Sequence, residues 1–303
     1  MARRPKSVPQ MTVAQFDAAF PNEDHCKAYL QARRWPEGVE CPRCHDGKRI
    51  FPVRTMPFKW QCYACTPVGG YRFSVIAGTI FENTNKPLRD WFRVVHFMLA
   101  SKKGMSALQI QRMMGFGSYG TAHSMCHKIR AALVAPEEKL GGIVEVDETF
   151  VGELAKNKDK RGLGLGTGGI GSGKIAAIGA VKRKGNVIAR VIDNVRASTL
   201  EAFIQEAVSN KVNLLCTDEW VGYKHLTAKS YPHEVIQHSK EQYVVGAVHT
   251  QTIEGFWSLI KRGCVGTFHK VSKKYLPLYV AEFAFRYNNR NNSDIFGAAI
   301  AGC

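Results

Sequence analysis

The sequence predicts a mixed-sheet α/β domain over its second half, preceded by a small cysteine-pinned region and a helical region. Three observations carry this reading. The segments GIVEVDETFV, KIAAIGAVK and NVIARVI read as strands, STLEAFIQEAV as a helix, VNLLCTDEW and HEVIQ as further strands, and IEGFWSLIKRG as a closing helix. Two CxxC pairs stand upstream, and between them and the strands lies a stretch of helical periodicity broken by short Gly-containing turns. Three consecutive strands, a helix and a further strand, with acids at the ends of the first and fourth strands, is the order of a ribonuclease-H-like fold. The division expected is 1–36 (an N-terminal helical segment), 37–86 (the cysteine-pinned region), 87–136 (a helix-turn-helix-like region) and 137–303 (the α/β domain).

Composition sets the class. The chain has 303 residues, 45% of them hydrophobic and 22% charged, which is ordinary for a globular protein and excludes a largely disordered chain. No run reaches the length of a membrane span, and MARRPKSVPQMTV lacks the apolar core of a signal peptide, so a cytoplasmic location without membrane contact is expected. With 42 Lys+Arg against 25 Asp+Glu the formal charge is +17, which points to a polyanionic partner. Residues 1–140 hold 21 basic and 10 acidic side chains and residues 141–303 hold 21 and 15, so the first part is the more basic docking surface. A basic surface that only maintains solubility is the plainer alternative.

MTVAQFDAAFPNEDHCKAYLQARRWPEG predicts one or two short helices. Next come Cys41-Pro-Arg-Cys44 and Cys62-Tyr-Ala-Cys65, separated by 17 residues. In a reducing compartment this spacing reads as the four thiolate ligands of a tetrahedral structural Zn²⁺, because each CxxC turn lets two sulfurs converge on one ion. KRIFPVR, FKWQC and YRFSV are the strands of the resulting zinc ribbon. His45 is a competing ligand, but four thiols already complete the site. Cys26, Cys126, Cys216, Cys264 and Cys303 have no partner spacing and read as small buried residues.

PLRDWFRVVHFMLASKKG predicts a helix opened by Pro87 and stopped at Gly104. SALQIQRMMG follows with Ser106 as N-cap and Gly115 as stop, then the break FGSYG, then the helix TAHSMCHKIRAAL. Helix, short turn, helix presents Tyr119, Thr121, His123, Ser124 and Lys128 to a DNA groove; a plain three-helix bundle is the alternative. Met98, Met105, Met113, Met114 and Met125 are expected in the core.

In the α/β domain, Asp147 stands at the far end of the alternating strand 143–146, and Asp218 follows the apolar run Leu214–Cys216. Glu254 opens the last helix. Carboxylates at neighbouring strand ends can converge on divalent cations, and hard oxygen donors are what Mg²⁺ or Mn²⁺ accepts. Glu145, Glu148 and Glu219 are alternative ligands, ranked lower: Glu145 shares strand parity with Asp147 but sits deeper, and the other two turn away. Lys261, seven residues after Glu254, projects from about the same helix face and is the auxiliary cation, a role Arg262 could share. Each acid alone has a bland explanation as a turn or helix-terminus residue; their joint placement lifts them above it.

CPRCH and CYAC, FSVIAGTIFENTNKPLRDWF, VEVDETFVGE, CTDEWVGY, HTQTIEGFWSLIKRG and EFAFRYNNR together resemble the insertion-sequence DDE transposases that carry an N-terminal zinc ribbon and an ISXO-type catalytic domain. The resemblance implies a ribonuclease-H-like core that cuts double-stranded DNA at transposon ends and joins the 3′-hydroxyl to target DNA with Mg²⁺. It implies Asp147, Asp218 and Glu254 as the triad, Lys261 as the following basic residue, and a homo-oligomer on DNA, nucleoid-associated when bound. Gly152-Glu153-Leu154 departs from the Gly-Gly-Lys-like turn of the family, and Gln251 stands where Asn is usual. Neither change removes a ligand.

Two rivals stay open: a ribonuclease-H-like nuclease without strand transfer, and a DNA-binding regulator without catalysis. The stretch RGLGLGTGGIGSGK mimics nucleotide-binding glycine patterns, but Ile175 follows Lys174 where Ser or Thr is needed, so a basic Gly-rich loop near the site fits better. His249, Trp257 and Tyr223 are further DNA-contact candidates, with burial the commoner fate of the two aromatics.

Overall fold

The computed structural model describes residues 11–66, 68–134, 138–152, 174–219, 221–223, 231–236, 249–269 and 271–303. The Gly-rich stretch 164–173 lies outside them. The chain divides into two compact units, residues 1–133 with 291–303, and residues 134–290.

The first unit opens with α1 (Val13–Ala19) and α2 (Glu23–Arg34), each started by a side-chain cap, Thr12 in a capping box and Asn22. A three-stranded antiparallel sheet follows, β1 (Ile50–Pro52), β2 (Lys59–Cys62) and β3 (Tyr71–Ser74), in that spatial order. Trp60 and Phe73 are buried on its inner face, edge-on to Trp35. Helices α3 (Leu88–Ala100), α4 (Ala107–Met114) and α5 (Tyr119–Ala132) come next. Ser106 caps α4, and Gly115 ends it with φ of 66°, a left-handed conformation that costs glycine least. Helix α5 starts at Tyr119, two residues before the expected start, because Ser118 accepts from the Gly120 amide and so caps it earlier. Pro87 offers α3 no side-chain cap; Glu23 from α2 accepts from the Leu88 and Arg89 amides instead.

Met98, Met105 and Met125 are buried as expected, whereas Met113 is half exposed and Met114 only partly buried. The reason is that α4 buries only Ile110. The last helix, α9 (Ile295–Gly302), also belongs to this unit: Phe296 packs against Phe16, Phe20 and Phe92, and the Ile80 amide donates to the Cys303 carbonyl. Residues 291–303 thus fold with the N-terminal unit rather than with the α/β domain to which the sequence division assigned them.

The second unit is a three-layer α/β structure. Its five strands are β4 (Leu140–Val151), β5 (Ile175–Lys182), β6 (Val187–Ile192), β7 (Val208–Asp218) and β8 (His233–Ile236), ordered β6-β5-β4-β7-β8. Pairings β6–β5 and β5–β4 are antiparallel, β4–β7 and β7–β8 parallel. This is the mixed sheet of a ribonuclease-H-like fold.

Strand parity separates two cores. Val144, Val146, Ile178, Ala180 and Leu215 face α6 (Ala197–Ala207), whose Leu200, Phe203 and Ile204 cover them. Ala177, Val181 and Val187 face α7 (Gln251–Gly266) and α8 (Leu276–Asn288), covered by Ile253, Phe256, Trp257 and Ile260. At the edge strand β6, the Asn288 side chain accepts from the Val187 amide and donates to its carbonyl, satisfying backbone groups that an unpaired edge leaves open.

Candidate functional site

The four thiols are drawn together by backbone turns. Cys41 accepts the His45 amide on its carbonyl and donates its own amide to Asp46, folding the first knuckle with His45 at φ of 56°. The Sγ atoms of Cys41, Cys44, Cys62 and Cys65 all lie within 4.8 Å of one another, with Cys41–Cys65 at 3.5 Å and Cys44–Cys62 at 3.7 Å. A tetrahedron with Zn–S bonds of about 2.3 Å has S–S edges of about 3.8 Å. The donor set and spacing therefore fit Zn²⁺, and His45 is exposed and outside the cluster. Burial pushes the Cys41 thiol up, but the Arg43 and Cys44 amides and the neighbouring thiols more than offset it, leaving it at about 7. Burial raises Cys62, and the neighbouring Cys44 thiol and burial push Cys65 up to about 12, so the cluster favours one thiolate among crowded thiols, and a dication is what would let the others ionise.

The carboxylates are assembled by sheet register. Ile143, Val144 and Glu145 pair with Leu214, Leu215 and Cys216, and two further residues along that parallel ladder bring Asp147 beside Asp218. Asp147 is not at the end of its strand, as the sequence suggested. Strand β4 runs on to Val151 because antiparallel pairing with β5 continues through Phe150↔Ala176 and Val151↔Ile175. On its other side the paired parallel ladder ends at Glu145↔Cys216 and β7 itself at Asp218, so Asp147 sits two residues past the ladder's last pair, beside a continuing antiparallel one.

Asp147 faces the α7 side of the sheet. Its cross-strand partner is Gly179, and a Cβ there would lie 2.8 Å from Trp257 Cζ2 and 3.1 Å from Ile253 Cδ1. The missing side chain lets α7 approach the sheet closely and bring Glu254, in its first turn, toward the two aspartates. Burial, then the carboxylates of Glu148, Asp218 and Glu254, push Asp147 up to about 8. The three donors are hard oxygens, the kind Mg²⁺ or Mn²⁺ accepts, although among the described residues only the four cysteines bring their ligand atoms within 4.8 Å of one another.

The alternative acids differ in their surroundings, and Glu148 is the carboxylate whose charge acts most on Asp147. Glu148 turns to the opposite face, where buried Tyr223 donates its hydroxyl proton to it; burial raises Glu148 to about 7. Glu219 is exposed just past β7. Glu145 is completely buried and accepts the Thr252 and Ile253 amides of α7. That carboxylate was ranked low as a ligand from its depth; its role as a helix cap was not legible. Arg183, which donates to it, and Gly179 were also missed, although a lone glycine inside the strand pattern KIAAIGAVK signals close approach. Trp257 and Tyr223 are 2% and 1% exposed, so they are core residues and not DNA contacts, whereas His249 is partly exposed. Lys261 and Arg262 are both exposed on α7.

On α5, Tyr119, Ser124 and Lys128 are exposed, and Thr121 and His123 partly so. The Tyr119 and His123 rings lie 5.5 Å apart, and His123 Nδ1 lies 3.2 Å from His127 Nδ1. Lys128 Nζ lies 5.9 Å from the Trp91 ring. Among the described residues no helix is long and apolar enough to cross a membrane.

Residues 139–288 match the family model of the ISXO2-like transposase domain, and residues 21–67 match that of the transposase zinc-ribbon domain. A curated relative from Halobacterium salinarum, described as an uncharacterized protein in transposable element ISH50, is 27% identical over 283 residues, covering 88% of this chain and 91% of the relative.

Proposed function

The chain belongs to the insertion-sequence transposases that join a zinc ribbon to an ISXO2-like transposase domain, and from that premise we propose that it cuts DNA at element ends and joins them to target DNA. The observation that supports this most is the placement of Asp147, Asp218 and Glu254 toward one face of the sheet, where burial first, and then the charges of Glu148, Asp218 and Glu254, raise Asp147 to about 8.

In this reading the three carboxylates hold two divalent cations. Bound there, a Mg²⁺ pair activates the attacking oxygen and stabilises the leaving oxygen of an in-line phosphoryl displacement. Two displacements in sequence account for the activity. Water first attacks the phosphorus at the element end, forming a P–O bond and releasing a 3′-hydroxyl. That hydroxyl then attacks a target phosphodiester, and the target's own 3′-oxygen leaves with a proton. Lys261, with Arg262 beside it on the exposed side of α7, steadies the DNA phosphate. Tyr119, Thr121, His123, Ser124 and Lys128 on α5 read the terminal repeat, and the Zn²⁺ ribbon supports that docking. Synapsis of two ends calls for a homo-oligomer on DNA. The four-part division at 36, 86 and 136 remains our assignment of these tasks along the chain, with 291–303 returned to the N-terminal unit.

The test is a strand-transfer assay with purified protein, terminal DNA and Mg²⁺, beside Asp147→Asn and Glu254→Gln. Joining by the parent and its loss in both variants is the expected result. Cutting without joining leaves a nuclease; binding without cutting, or variants as active as the parent, overturns the triad.

A further inference from the structure

Glu145 lies two residues before Asp147 on the same strand face, yet it is 0% exposed. Every acceptor position of its carboxylate is taken. Oε1 accepts from Arg183 Nε at 2.7 Å and Thr252 Oγ1 at 2.8 Å, with His249 Nδ1 at 3.2 Å. Oε2 accepts from the Thr252 amide at 2.8 Å and the Ile253 amide at 3.1 Å. Four donors fill about four lone-pair sites, with His249 Nδ1 close by but making no hydrogen bond, so no room is left for a cation.

The amides it receives are the open N–H groups of the first turn of α7. Thr250, at the N-cap position, makes no capping bond there; its hydroxyl instead donates to Glu254 Oε1 at 2.7 Å. The helix start therefore depends on a carboxylate from another element, and the N-terminal end of the helix dipole favours a negative charge in that position. Arg183 closes the assembly, balancing the buried charge and donating Nη2 to the His249 carbonyl at 2.9 Å. A buried carboxylate fully hydrogen-bonded and paired with a guanidinium holds its geometry tightly, because any displacement leaves a charge unsatisfied.

We propose that Glu145 is a positioning residue of the catalytic centre: it pins the first turn of α7 to β4 and thereby sets where Glu254 stands relative to Asp147 and Asp218. This rests on the triad assigned above. It assigns Glu145 no contact with metal or DNA. Glu145→Gln keeps the shape but exchanges an acceptor for an NH₂ that opposes the amides or Arg183.

The experiment measures Mn²⁺ affinity of the full chain by electron paramagnetic resonance titration, for the parent, Asp147→Asn, Glu145→Gln and Phe203→Leu. Phe203 lies in the α6-side core and serves as a control for general destabilisation. The expected result is a 10- to 100-fold weaker Mn²⁺ affinity in Glu145→Gln, the size seen when an outer partner of a metal ligand is changed. Its stoichiometry is unchanged, strand transfer recovers at high Mn²⁺, and Phe203→Leu binds as the parent does. Parent affinity in Glu145→Gln, loss of binding as complete as in Asp147→Asn, or an equal drop in Phe203→Leu overturns the proposal. If the parent and Asp147→Asn bind alike, the triad itself fails, a separate outcome.

Discussion

The thiol cluster draws its four ligands from the short stretch between Cys41 and Cys65, whereas the acidic cluster draws its three from Asp147 to Glu254, across a sheet register and a helix dock. Two knuckle turns gather sulfurs at 3.5 and 3.7 Å, beside a small core of Trp60 and Phe73. The carboxylates stand on a folded domain whose two cores are built from apolar side chains on either face of the sheet. On the proposed function, an ion in the ribbon would support the fold, whereas in the α/β unit the fold would support the ion. Substitutions in the two places should therefore fail differently.

The largest effect expected is on chemistry. Asp147→Asn or Glu254→Gln should lower strand transfer by on the order of 10³-fold, roughly 4 kcal/mol of transition-state stabilisation, while terminal-DNA affinity in a gel-shift titration stays within a few-fold. Loss of folding in these variants would break the contrast.

Cys62→Ala, or chelation, should instead remove structure. Structural zinc contributes on the order of 10 kcal/mol to small folds, so the β1–β3 amide resonances should collapse while those of β4–β7 persist. A ribbon that stays folded without metal would sink this half of the comparison.

Gly179→Ala should come next. The added Cβ meets the Trp257 ring at 2.8 Å, and overpacking of this kind costs about 1–3 kcal/mol. Calorimetry should show a lowered melting temperature, and Mn²⁺ binding should weaken as α7 is pushed outward.

A pH series sharpens the electrostatic side. Asp147 is raised in the folded state to about 8, so its proton is held more tightly there than in the unfolded chain. Its contribution to stability is fully present below its unfolded value near 4 and is lost as pH rises through about 8. Metal-free protein should thus melt at lower temperature at pH 8.5 than at pH 6, Asp147→Asn should flatten that slope, and Mg²⁺ should stabilise more at the higher pH. The opposite slope for the variant would remove Asp147 as its source. Smallest of all, Lys128→Ala should weaken DNA binding only a few-fold and reduce the salt slope by about 1.

The unequal spans of the two clusters also explain what the sequence revealed. Cys41, Cys44, Cys62 and Cys65 were legible because their spacing is local and their chemistry narrow. The strand order of the α/β unit was legible from periodicity, but the extent of β4 was not, since Val151 pairs because β5 lies beside it. Asp147, Asp218 and Glu254 stood out by placement and family pattern. Glu145 did not: a glutamate inside a strand has no signature of the helix it will cap. Likewise Met113 looked like core, since periodicity shows which residues share a face but not whether a neighbour covers it. Helices α8 and α9 were not anticipated.

The return of α9 to the first unit reverses the order of events during synthesis. A ribosome delivers residues 11–133 early, but the slot among Phe16, Phe20 and Phe92 stays open until Phe296 emerges. The intervening α/β unit can close on itself first, since its cores lie wholly within residues 134–290. Until Phe296 arrives, that aromatic slot of the nascent chain is exposed to solvent and to chaperones. The N-terminal unit is therefore completed only after the α/β unit that interrupts it has been synthesised.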